Sequence, residues 1–168
     1  MPKMNPADLP SPSEFPLRTD LQMRFNDIDI LGHLNNTVYF SFYDTGKAYY
    51  LEAIEAAQGG EMNWRRVESV MVNVDCAFME PVYFGTELEV VTRCESLGER
   101  SITLFQMLLD KKTGHIKSVC RSVMVSIDPD TKQSVPLPQK WIRGVRAFEP
   151  GFVPGPTDPV RPETLDIH

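Results

Sequence analysis

What this chain lacks narrows its function first. It has only three cysteines in 168 residues, Cys76, Cys94 and Cys120, and no C-x-x-C pair. An odd, scattered set argues against a disulfide framework or a structural zinc site, so the three read as small buried strand residues. No apolar run is long enough to span a bilayer, and the opening MPKMNPADLP has no apolar signal-peptide core. A reduced cytoplasm is the expected location, with no membrane partner. Positive charge is in short supply, with 17 Lys and Arg against 23 Asp and Glu and a net charge of -6. That argues against nonspecific nucleic-acid binding and against anionic membrane surfaces. It leaves room for an anionic ligand held by a few local cations. Asp27, Asp29 and His33 are too few to make a metal site without a further ligand cluster, so no metal or cofactor is expected.

Proline is nearly absent from the middle. Five of the 14 prolines lie in residues 1–16, eight lie from Pro129 onward, and only Pro81 falls between. Proline interrupts helices and central strands, so it brackets the folded part. The expected organisation is a Pro-rich arm at 1–16, a single domain at 17–148 and a Pro-rich tail at 149–168. The segment VPLPQKWIRGVRAFE is expected to pack back on the core through Trp141, Ile142 and Phe148. Hydrophobic residues make up 42% of the chain, enough for one core.

Between the prolines the pattern is clear. Leu17, Thr19, Leu21, Met23 and Phe25 alternate with polar residues, which predicts a half-buried first strand ending near Asp27. Val70, Val72, Val74, Cys76 and Phe78 predict a second strand. Leu88, Val90, Thr92 and Cys94 predict a third, with Glu87, Glu89, Arg93 and Glu95 on its other face. Ile102 to Leu109 is a fourth, and Val119, Val123, Val125 and Ile127 share a face of a fifth. SLGER and DKKTG are short turns between antiparallel neighbours. From Asn36 to Gln58 there is no proline, and Val38, Phe42, Tyr49, Ala53 and Ile54 recur at helical spacing. Asn35 or Asn36 can cap the start and Gly59 can end the helix. That helix is roughly 33 Å long, and Tyr39, Tyr43 and Tyr50 widen its apolar face. Gly46 in its middle costs about 1 kcal/mol against alanine and marks a close approach to the sheet. Strand, long helix and four more strands make an α+β layer fold. One helix leaves sheet edges open, so an oligomer is expected.

The polar run FNDIDILGHLNN lies just ahead of the helix. A helix N-terminus offers unpaired N–H donors and the positive end of its dipole. A carbonyl placed there becomes a better electrophile, and a carboxylate beside it can activate water or attack directly. These parts suit acyl transfer to water. Asp27 is more readily a turn residue, Asp29 is balanced between turn and catalysis, and Gly32 supplies a positive φ. Asn35 is favoured as a capping residue, and His33 is open between capping and catalysis.

The pattern R-x-x-D-x-D-x-x-G-H-L-N-N-x-x-Y, carried by Arg24, Asp27, Asp29, Gly32, His33, Leu34, Asn35, Asn36 and Tyr39, resembles the signature of hotdog-fold thioesterases. The nearest groups are the 4-hydroxybenzoyl-CoA thioesterase-like acyl-CoA hydrolases and the acyl-ACP thioesterases. Leu31 stands where the latter usually carry asparagine. The resemblance implies a hotdog fold, one long helix wrapped by a curved antiparallel five-stranded sheet. It implies homodimers or homotetramers that hydrolyse acyl-CoA, with an acyl carrier protein as another source of substrate. It assigns Asp29 as general base or nucleophile, the backbone N–H near Asn36 as carbonyl donor and His33 as an orienting group. Asn35 and Tyr39 become substrate-binding residues. Lys117, Arg121, Arg143 and Arg146 are candidates for the phosphates. Two other readings stay open. One is a hotdog that binds acyl thioesters without cleaving them. The other is a haloacid dehalogenase-type phosphatase, suggested by Asp27-Ile28-Asp29 after a strand.

Overall fold

The computed structural model describes residues 8–63, 66 and 68–152. In chain order its elements are β1 (Leu17–Leu21), α1 (Asn36–Ala56), β2 (Ser69–Phe78), β3 (Leu88–Leu97), β4 (Ser101–Asp110), β5 (Ile116–Ser126) and α2 (Gln139–Phe148). The strands form one five-stranded sheet ordered β1-β3-β4-β5-β2. Every pairing is antiparallel, which removes the buried parallel sheet a haloacid dehalogenase-type phosphatase needs. SLGER and DKKTG join β3 to β4 and β4 to β5, as their glycines predict. β2, however, lies beside β5 and not beside β3. The chain from β2 to β3 therefore crosses between two sides of the sheet, leaving β1 and β2 as its edges.

β1 is shorter than its alternation suggests. It ends at Leu21, not near Asp27. Arg24 N–H donates to the Asp27 carboxylate at 2.7 Å, and Asp27 N–H donates to the Arg24 carbonyl at 3.0 Å. These bonds curl Phe25–Asp27 into a 3-10 turn, and the chain leaves the sheet early.

α1 buries Tyr39, Phe42, Tyr43, Gly46, Tyr50, Leu51 and Ile54. The inner stripe is thus built on the tyrosines at 39, 43 and 50, while Tyr49 is exposed. The curved sheet covers one side of the helix, and Phe40, Asp44 and Glu52 are exposed on its outer side. Beneath it the sheet presents Leu88, Val90 and Cys94 of β3, Ile102, Leu104 and Leu108 of β4, and Cys120 and Met124 of β5. Gln106, Tyr43 and Ser118 find partners in this layer, while the buried Ser122 hydroxyl has none among the described residues. The Gln106 amide donates to the Tyr43 carbonyl at 2.9 Å and to Thr92 Oγ1 at 3.1 Å. The Tyr43 hydroxyl meets the buried Ser118 hydroxyl. Gly46 lets the helix come this close: a Cβ there would stand 2.6 Å from Val90 Cγ1 and 2.9 Å from Gln106 Nε2.

The segment after the sheet is a helix, which its prolines obscure in the sequence. Pro138 precedes α2 at its N-cap, and proline suits a helix start. Trp141 and Val145 pack on Tyr50, Leu51 and Ile54, with Ile142 and Phe148 at the margin. Glu149, just past the helix, holds this end down. Its carboxylate accepts Cys94 N–H at 2.7 Å, where a bulge in β3 interrupts the ladder between Cys94 and Ser96, and it accepts the Tyr50 hydroxyl. On the opposite face of the sheet, Phe15 and Leu9 cover Val91, Phe105, Met107 and Val119. Phe15 and Phe105 have ring centroids 5.9 Å apart. Residues 1–7 of the arm and 153–168 of the tail lie outside the described residues. No helix among the described residues is long and apolar enough to cross a membrane.

Candidate active site

The polar run folds into a small hairpin at the head of α1. Ile28 and Leu34 form an antiparallel bridge. Asp29 N–H donates to the His33 carbonyl at 2.8 Å, and Gly32 N–H donates to the Asp29 carbonyl at 3.0 Å. Gly32 has φ +79°, the left-handed conformation that closes a three-residue hairpin loop at low steric cost. Ile30 and Leu31 stand exposed at its tip. Two further bonds dock the hairpin: Asn35 N–H to the Asp27 carbonyl and Leu34 N–H to the Val82 carbonyl, each 2.8 Å. Asp27 itself is buried, 3% exposed. Its carboxylate is committed to Arg24, so its role is structural, as the turn reading expects.

Asp29 is half-buried. Its Oδ1 accepts Leu31 N–H at 2.8 Å and His33 N–H at 3.4 Å, while Oδ2 has no hydrogen-bond partner among the described residues. The backbone of His33 serves Asp29; its ring instead packs edge-to-face on Tyr83, with centroids 5.1 Å apart. Asn35 is the N-cap. Its Oδ1 accepts Thr37 N–H at 2.9 Å and the Thr37 hydroxyl at 2.8 Å. Val38 N–H donates to the Asn35 carbonyl. Asn36, the first helical residue, is exposed, and its N–H takes no acceptor among the described residues. The structure therefore brings Asp29, His33, Asn35 and Asn36 together. Tyr39 lies one turn further on and is buried. Its ring meets Phe78 edge-to-face at 4.9 Å, and burial pushes its hydroxyl up to about 12.

The basic candidates are not gathered here. Lys117 pairs with Glu80 at 2.8 Å, and Arg121 pairs with Glu95 at 2.5 Å. Arg143 and Arg146 are exposed on α2, which packs on the C-terminal half of α1. Sequence reasoning missed the aromatic rim. Phe78, Tyr83 and Phe84 are exposed, and Phe25 packs edge-to-face on Phe84 at 5.9 Å. Three aromatic residues around a strand-to-loop junction, with Gly85 after them, were the available signal.

A curved antiparallel sheet crossed by one long helix, with a carboxylate-bearing hairpin at that helix's N-terminus, defines a hotdog thioesterase architecture. Residues 23–145 match the Thioesterase-like superfamily, and the chain belongs to that family. It is 22% identical over 121 residues to the long-chain acyl-CoA thioesterase FadM of Escherichia coli, covering 72% of this chain and 90% of that protein. Its fold is similar to a Thermus thermophilus thioesterase complexed with coenzyme A and Zn, with TM-score 0.71, 24% identity, and 83% and 98% of the two chains covered. It is also similar to a 1,4-dihydroxy-2-naphthoyl-CoA thioesterase from Synechocystis, with TM-score 0.66, 13% identity, and 76% and 93% covered. Fold alone thus leaves the acyl group open.

Proposed function

We propose that the protein hydrolyses acyl-CoA thioesters to the free acid and CoA, with Asp29 as the reacting carboxylate and Asn36 N–H as carbonyl donor. The observation that supports this is their pairing on one hairpin: Asp29 keeps Oδ2 free beside the head of a 21-residue helix, whose first N–H is also free among the described residues. A thioester oxygen at Asn36 N–H gains a hydrogen bond that strengthens as negative charge develops on it, and the helix dipole adds to that. As general base, Asp29 takes a proton from water as that water attacks the carbonyl carbon. The tetrahedral intermediate then expels the CoA thiolate. As nucleophile, Asp29 forms an acyl anhydride that water cleaves. Trapping the acyl-enzyme with hydroxylamine separates the two, because only the anhydride route leaves Asp29 as an activated acyl group that hydroxylamine converts to a hydroxamate.

Tyr39 and Phe78 supply an apolar wall for the acyl chain, and Tyr83 holds the His33 ring where it can order water. Asn35 acts on substrate through its cap, which keeps the helix head in place. The long-chain relative favours a long aliphatic acyl group. The whole enzyme is a homodimer joined along β2. The test is thiol release from short, long and aromatic acyl-CoAs, with acyl carrier protein thioesters as a second arm. Asp29→Asn keeps an oxygen for Leu31 and His33 N–H, so the fold should survive. Turnover should fall about 10²–10⁴-fold, the range for a lost general base. Undiminished turnover in that variant would refute the assignment.

A further inference from the structure

The three cysteines looked inert in the sequence, but two of them face each other. Cys76 of β2 and Cys120 of β5 are direct partners in the antiparallel register. Directly opposed residues have Cα atoms about 4.5 or 5.5 Å apart, and both spacings fall inside the roughly 4.4–6.8 Å range of disulfides. The register is regular here, since the β2 bulge lies earlier, between Met71 and Asn73. Both side chains face α1 in the cluster containing Tyr39, Phe42 and Tyr43. Cys120 is buried and Cys76 is half-buried, and both are free thiols. Cys94 is buried in a different cluster.

We infer that Cys76 and Cys120 form an oxidation site, converted by peroxide into an intramolecular disulfide that staples edge strand β2 to β5. The two thiols have distinct roles. Cys76 is the one within reach of solvent. The contact with Cys120 lowers its thiol, although burial and Asp75 oppose this. The same contact and burial raise Cys120, and Lys47 works the other way. A thiolate is the reactive form, so Cys76 attacks first. Cys76 sulfur takes one oxygen of hydrogen peroxide, giving a sulfenic acid and hydroxide. Cys120 sulfur then displaces hydroxide from that sulfur, forming the S–S bond. Overall two thiols lose two electrons and two protons, and one peroxide becomes two waters. A dithiol reverses the change by exchange.

The staple sits against the candidate site. Cys76 lies two residues before Phe78 on the same face of β2, and the Phe78 ring packs edge-to-face on Tyr39. Tyr39 is one helical turn from Asn36. Drawing Cys76 and Cys120 together moves this wall, so oxidation should reduce hydrolysis. That consequence rests on the thioesterase reading; the cross-link itself does not.

The decisive experiment treats the full chain with hydrogen peroxide and reads it without substrate. A mass loss of about 2 Da is expected, with one peptide pair joining Cys76 to Cys120. Thiol titration after denaturation should fall from three groups per chain to Cys94 alone. Dithiothreitol should restore both. Three free thiols after treatment, a Cys76 sulfinic acid without cross-link, or a link between two chains would each overturn the pairing. Cys120→Ser and Cys120→Ala should both lose the cross-link, and its persistence in either would overturn the assignment. In enzyme that hydrolyses acyl-CoA, oxidation should lower kcat reversibly. Unchanged kcat in fully cross-linked enzyme would refute the coupling to the site.

Discussion

At Gly46 a single hydrogen atom decides how closely helix and sheet can meet. A mid-helix glycine is unfavourable by helix propensity, and that cost made the residue legible as a contact point before any coordinates. The neighbours it faces were not legible. Val90, Thr92 and Gln106 lie on strands more than 40 residues away, and nothing local announces that Gln106 is the donor to the Tyr43 carbonyl. Gly46→Ala gains helix propensity but pushes a Cβ to 2.6 Å from Val90 Cγ1 and 3.0 Å from Thr92 Oγ1. Overpacking of this kind costs about 1–3 kcal/mol, and the propensity gain of about 1 kcal/mol offsets only part of it. Urea denaturation should show a lower midpoint for Gly46→Ala; a raised midpoint would mean that Val90 and Gln106 yield freely. Asp29 and Asp27 show the same divide. By spacing Asp27 reads as a turn residue, and Asp29 is balanced between turn and catalysis. Burial and partners separate Asp27, committed to Arg24, from Asp29, which keeps one oxygen free among the described residues.

At the scale of elements, period-two alternation marked β2, β3 and β5, and a nearly continuous apolar run marked β4, each to within a residue or three at each end. It failed where the hydrogen bonds came from side chains. Met23 and Phe25 continue the alternation of β1, yet the Asp27 carboxylate draws the Arg24 N–H out of the ladder. Alternation also says nothing about which face meets the helix. On β5 the valine face, Val119 with Val123 and Val125, lies opposite α1, while Ser118, Cys120 and Ser122 line the helix side. α2 was masked by the prolines before it. Its anchor, Glu149, gives a pH signature. Burial raises its carboxyl above the usual 4.5, with Cys94 N–H, Tyr50 and Arg93 opposing. A folded-state pKa above the unfolded one means the folded chain holds the proton more tightly. This contribution is fully present below about pH 4.5, and it is lost as pH rises through the raised folded value. Glu149→Gln keeps an acceptor for Cys94 N–H and Tyr50 but cannot ionise. Its stability relative to the parent should therefore improve as pH rises above 4.5 toward neutrality, read as urea midpoints across that window. A pH-independent gap would show that ionisation of Glu149 does not burden the fold.

For the whole molecule, the order of strands leaves one conspicuous open edge. β2 runs for 10 residues and among the described residues pairs only with β5, so its outer row of N–H and C=O groups has no strand partner there. A long unpaired edge invites association. Met71 and Phe78 are exposed along it, and Phe40 and Tyr49 are exposed on the outer side of α1. A two-fold axis across β2 would pair the strand with itself, because an antiparallel self-pairing is isologous and closed. It would bring the helix heads of two chains to one seam, which suits a site whose aromatic rim is open in the single chain. One helix and two sheet edges make an oligomer the expectation from sequence, and the strand order makes β2 the seam proposed for it. Light scattering on the eluting protein should give about twice the 19.1 kDa chain mass. Lysine is a residue that natural edge strands use against pairing. Met71→Lys should therefore shift the protein toward monomer and lower turnover with it, leaving Asp29 and Asn36 in place. A Met71→Lys monomer with full turnover would place the complete site in one chain. A parent that elutes as a monomer at assay concentration would remove β2 as the seam.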